Sequence, residues 1–63
     1  MPFVTVKMWE GRTTEQKAAI IEKVTEALIE SMGVEPEHVS VVLQEYPKEN
    51  WGVGGQLAST APQ

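Results

Sequence analysis

A single α/β domain, a β-α-β unit followed by a C-terminal hairpin, is the fold that this chain of 63 residues predicts. Three observations lead there. Residues alternate between two faces from Pro2 to Trp9, apolar residues recur at helical spacing between Thr13 and Gly33, and the alternation returns from Val39 to Glu45. A strand, a helix and a strand in that order make a crossover unit, whose strands run parallel and whose hand is right.

In the first strand Val4, Val6 and Met8 share one face, and Phe3, Thr5, Lys7 and Trp9 the other. Glu10-Gly11-Arg12 ends it, because glycine admits turn conformations closed to other residues. Thr13 then opens the helix, with Gln16 three residues on as the reciprocal member of a capping box. Ile20, Ile21, Val24, Ala27, Leu28 and Ser31 form its inward stripe, and Gly33 and Pro36 stop it. The second strand places Val39, Val41 and Leu43 on one face and Ser40, Val42 and Gln44 on the other. Asn50-Trp51-Gly52-Val53-Gly54-Gly55 reads as a hairpin or ordered loop, and the chain after about Ser59 as a loose tail.

A domain this small is marginal by itself. Apolar burial contributes on the order of 90 kcal/mol at ~25 cal/mol/Å², and ordering the chain at ~1.5 kcal/mol per residue costs about 95 kcal/mol. With no cysteine and a single histidine, neither a disulfide nor a structural zinc supplies the difference. A parallel sheet also needs cover on both faces and more than two strands. Both arguments predict that sheets are completed by self-association.

Five basic residues against nine acidic ones leave a net charge of -4, which disfavours nucleic acid or an anionic membrane as partner. No stretch approaches the ~18 apolar residues of a membrane span, and the N-terminus lacks a signal-peptide pattern, so the expected setting is the cytoplasm.

Few residues carry chemistry. Pro2 is either a strand-entry residue or, once Met1 is removed, a secondary amine; burial and a nearby cation lower such an amine toward neutrality, where a base for proton transfer works best. While Met1 remains, that nitrogen is an amide. Arg12, the only arginine, is either solvated or a bidentate clamp on a carboxylate, helped by the N-terminus of the helix that follows. Trp9 and Trp51 are core or interface anchors, and Trp51 in its glycine-rich loop is also a reasonable pocket wall. Gly52-Val53-Gly54-Gly55 lacks the Lys-Ser/Thr of a phosphate loop. Glu22, Glu26 and Glu30 make a solvated helical face, His38 is expected to be exposed, and without Asp or Cys no nucleophile triad can be built.

Taken together, Pro2 opening the strand, Glu10-Gly11-Arg12-Thr13 with Glu15-Gln16-Lys17, Val24-Thr25-Glu26-Ala27 and Asn50-Trp51-Gly52-Val53-Gly54-Gly55 resemble the 4-oxalocrotonate tautomerase family. The resemblance runs from Pro2 to about Ser59 and spans one domain, residues 2–63. It implies a tautomerase-like fold whose subunits pair into dimers and assemble into a homohexamer. It also implies cofactor-free, metal-free interconversion of enol and keto forms of 2-hydroxy-dienoates or related 2-oxo acids.

By the same resemblance Pro2 is the general base and acid, Arg12 the carboxylate clamp, and Trp51, in place of a more usual phenylalanine, the apolar wall. Ser40 stands where well-studied members carry a second arginine. The expected site is thus Pro2 and Arg12 for catalysis, with Arg12, Trp51, Ser40 and Trp9 contacting substrate. A hydroxyl brings no charge, so a monoacid such as 2-hydroxy-2,4-pentadienoate or phenylenolpyruvate is expected to suit this site better than the dicarboxylate 2-hydroxymuconate. Two other readings remain at this level: a Pro2-dependent hydration or decarboxylation, which needs an added general base and for which Glu10 and Gln44 are the only nearby groups, neither well placed, and a non-catalytic oligomeric ligand-binding protein.

Overall fold

The computed structural model describes residues 2–59. The state of Met1 and most of the expected tail lie outside the described residues. Strand β1 (Phe3–Trp9) leads into helix α1 (Thr14–Met32), a short 3₁₀ turn over Pro36–His38, and strand β2 (Ser40–Tyr46). A second 3₁₀ turn, Lys48–Asn50, precedes the hairpin of β3 (Gly52–Val53) and β4 (Gln56–Leu57), which reverses through Gly54 and Gly55.

The helix starts where its cap dictates. The Gln16 amide N–H donates to Thr13 Oγ1 at 3.1 Å, and the Thr13 amide N–H donates to Gln16 Oε1 at 3.0 Å, so two otherwise orphaned donors are satisfied. Its last turn closes on Gly33 at φ 69°, whose N–H donates to the Ile29 carbonyl.

β1 and β2 pair in parallel, from Phe3 opposite Ser40 to Trp9 opposite Tyr46. The second strand therefore starts one residue later and ends one later than the expected 39–45. Val39 is lost to the ladder because its N–H donates to the Pro36 carbonyl and closes the 3₁₀ turn. Tyr46 is gained because it pairs with Trp9 at the end of β1.

The two faces of this ribbon differ. Val4, Val6, Met8, Val41 and Leu43 are half-buried beneath α1, and the Lys17 ammonium on α1 reaches Glu45 Oε1 on the same side at 3.1 Å. The opposite face carries Phe3, 68% exposed, and Val42, 39% exposed, with Thr5, Lys7, Ser40 and Gln44. The inward stripe of α1 is narrower than expected: Ile20, Val24 and Leu28 are half-buried, whereas Ile21, Ala27 and Ser31 are exposed. Two strands about 4.8 Å apart are narrower than a helix about 10 Å across, so its flanks overhang. Among the described residues Ala58 alone is buried. No helix among them is long and apolar enough to cross a membrane.

Candidate active site

The residues singled out in the sequence fall at the two ends of the β1–β2 ribbon. At its head, Pro2 is half-buried and its carbonyl accepts the Ser40 N–H at 3.1 Å. The pyrrolidine ring fixes φ, so pinning the carbonyl also fixes where the nitrogen sits. Ser40 lies opposite Phe3, and both side chains belong to the open face, away from α1.

At the other end the ladder persists to Glu10, whose N–H donates to the Tyr46 carbonyl at 3.0 Å. Gly11 then turns the chain at φ 115°, in the left-handed half of conformational space where a side chain would be strained. Arg12 follows, exposed, immediately before the capping residue of α1, and has no hydrogen-bond or ion-pair partner among the described residues. An arginine beside a helix N-terminus adds a full charge to the partial positive charge already there.

At this same end, on the open face, is an aromatic cluster. Trp9 and Trp51 meet edge-on, ring centroids 5.9 Å apart with planes at 82°. Tyr46 meets Trp51 at 6.1 Å and 62°. The segment after β2 folds back over this end of the sheet, and the Ala58 N–H ties it down by donating to the Trp51 carbonyl at 2.7 Å. The Lys48 ammonium lies 4.8 Å from the centroid of the Trp9 ring. Trp9 Nε1 is buried with no acceptor among the described residues.

Trp9 and Trp51 are in contact, Arg12 follows Trp9 by three residues past the turn at Gly11, and Pro2 and Ser40 are joined through the backbone, but the two groups are far apart. From Pro2 to Trp9 is seven strand steps of roughly 3.3 Å, or roughly 23 Å. Arg12 lies beyond that end, a gap no arginine side chain closes. One copy thus holds the candidate residues as two separate groups, not as a single site. The described residues enclose no cavity and contain no cluster of three metal-ligating side chains.

Sequence reasoning missed Tyr46 and Lys48. Tyr46 becomes visible only through the register, which sets it beside Trp9 across 37 positions of chain. Lys48 depends on the turn that carries it back to the same ring.

The family model described as "Tautomerase enzyme" matches residues 2–61, so its match begins on the half-buried proline itself. The chain belongs to the tautomerase family. This tautomerase is 54% identical to the 2-hydroxymuconate tautomerase of Pseudomonas putida over 58 residues, 92% of each chain. Among solved structures it is 52% identical to a 4-oxalocrotonate tautomerase isozyme of Methylibium petroleiphilum, with a TM-score of 0.89 over 92% of this chain and 94% of that one. It is 32% identical to the heterohexameric 4-oxalocrotonate tautomerase of Chloroflexus aurantiacus J-10-fl, with a TM-score of 0.92 over 98% and 100%. The tautomerase is therefore an enzyme of the 4-oxalocrotonate type, built on the β-α-β ribbon and terminal strand pair described above.

Proposed function

We propose that the protein ketonises 2-hydroxy-dienoates or related enol acids, with the amino group of Pro2 as the proton carrier and no cofactor, as a cytoplasmic homohexamer built from dimers. The observation that carries this reading is the position of Pro2. It heads β1, half-buried, with its carbonyl held by the Ser40 N–H, so an amine freed there by loss of Met1 occupies a set place rather than a loose end.

The chemistry needs little more. The neutral amine takes the proton of the enol hydroxyl as the enol double bond shifts, and the resulting ammonium returns a proton to carbon. One O–H bond breaks, one C–H bond forms, and no electrons enter or leave. Arg12 binds a carboxylate through its guanidinium fork and draws charge toward it as the dienolate develops. Trp9 and Trp51 keep water from the reacting atoms, which favours the neutral amine. Ser40 offers one neutral hydrogen bond to the 2-oxygen.

Because Pro2 and Arg12 stand at opposite ends of one ribbon, the site is assembled from different copies. The open face, with Phe3 and Val42 exposed, supports the pairing this requires. So do Val53, 60% exposed, and Leu57, 47% exposed, on the projecting hairpin. The test is the ultraviolet absorbance decay of 2-hydroxymuconate and 2-hydroxy-2,4-pentadienoate, using protein whose mass shows Pro2 at the N-terminus. Turnover should fall by at least ~100-fold in Pro2→Ala, the scale of a lost general base. Turnover that survives the substitution would refute the assignment.

A further inference from the structure

The absence of a second arginine at Ser40 argues for a substrate with one carboxylate, but the folded chain holds another cation. Of its five basic residues, Lys17 and Lys23 are engaged by Glu45 and Glu26. Lys7 and Arg12 are exposed and unpaired among the described residues. Lys48 is the one seated on a ring, its ammonium 4.8 Å from the centroid of Trp9. It has no carboxylate partner among the described residues, although the chain holds nine glutamates and Glu49 is its neighbour in sequence.

The seat is built. Pro47 at φ -67° enters the turn, the Asn50 N–H donates to the Pro47 carbonyl at 2.9 Å, and the Trp51 N–H donates to the Lys48 carbonyl at 3.1 Å. These bonds pin the backbone from which Lys48 reaches Trp9. The ring below it carries a second unanswered donor, Nε1. Arg12 follows that same tryptophan by three residues. A chain of net charge -4 thus gathers, at one end of its sheet, two cations and an indole N–H with no acceptor among the described residues.

We propose that Lys48, seated on Trp9, is a second carboxylate-binding cation of the site and selects enol acids that carry a second anionic group at the end remote from the enol. This rests on the reading of Trp9, Trp51 and Arg12 as substrate-contacting residues. It supplies a second charge from a different element, at the opposite end of the ribbon from Ser40. A lysine suits the task because an ammonium on a flexible stem meets a carboxylate as a point charge and needs no planar fork. An ammonium over an indole face is attracted to the ring yet keeps donors free for an anion.

The test compares two conjugated diacid and monoacid probes of the same length that cannot ketonise, (E,E)-muconate and sorbate, by titrating the tryptophan fluorescence of the assembled protein. The wild type should prefer muconate by about 10-fold, the scale of one charge-assisted contact. Lys48→Met should bring the ratio close to one, and Lys48→Arg should keep most of it. If Lys48 only fastens the turn to β1, Lys48→Met weakens both acids alike and the ratio stands, which overturns the proposal. Failure of muconate to bind overturns it as well. Measuring both turnover of an enol substrate and the titration ratio in Pro2→Ala separates the two claims. Surviving turnover there would sink the base and leave the ratio standing, whereas a ratio indifferent to Lys48 would sink this assignment alone.

Discussion

Mixing two crippled variants should recover activity that neither has. Pro2 and Arg12 are separated by the length of β1, seven steps of roughly 3.3 Å, and each is fixed there, Pro2 by the Ser40 N–H and Arg12 by the turn at Gly11 and the cap at Thr13. A working site must then take its proline from one copy and its arginine from another. Unfold Pro2→Ala and Arg12→Ala chains together in equal amounts and let them refold into mixed assemblies. Each site draws an intact proline with even odds and an intact arginine with even odds, independently. About a quarter of sites should be complete, and kcat/KM at limiting substrate should reach about a quarter of the wild-type value. Were both groups supplied by the same chain, every site would lack one of them and mixing would restore nothing. The assay is the absorbance decay of the enol substrate, with each variant refolded alone and the two mixed without unfolding as controls. Activity no higher than the mean of the separately refolded variants would refute the two-copy site.

Arg12→Ala alone should raise KM for a carboxylate substrate by about 10-fold, the loss of one charge-assisted contact, and an unchanged KM in steady-state kinetics would remove the clamp role. Protein whose intact mass shows Met1 retained should be inactive, since the Pro2 nitrogen is then an amide without basicity; enzymatic trimming of that methionine should restore turnover. Thr13→Ala removes the acceptor of the Gln16 N–H and should cost about 1 kcal/mol per subunit in denaturant unfolding at fixed protein concentration. Val42→Lys should shift the protein to smaller species on sedimentation, because it places a charge in the middle of the open face.

How far the sequence could be read depended on how local the signal was. The helix was legible to its caps because Thr13, Gln16 and Gly33 act within one turn of themselves. The strands were legible as alternation, and the parallel pairing followed from the intervening helix. The short turn at Pro36–His38 was not, since three residues leave no periodicity, and it took Val39 from the strand. At the site, Pro2, Arg12 and the two tryptophans stood out by type. Their separation into two groups did not, because it depends on which strand residues face each other. Tyr46 and Lys48 were invisible for the same reason: a tyrosine closing a strand and a lysine in a turn are ordinary until the register sets both beside Trp9 or Trp51.

The near-absence of buried residues bears on how a cell would manage such a protein. A chain in which Ala58 is the one buried residue among those described has little to gain by folding in isolation. Folding and assembly then become a single event whose yield rises steeply with the amount of chain made. Orphan copies remain open to proteases, while assembled ones bury their exposed apolar faces and escape. On the proposed two-copy site, an unassembled chain is inactive as well. On that proposal, below the concentration at which copies meet there is neither a durable protein nor a working enzyme, and expression level acts as a threshold switch rather than a dial.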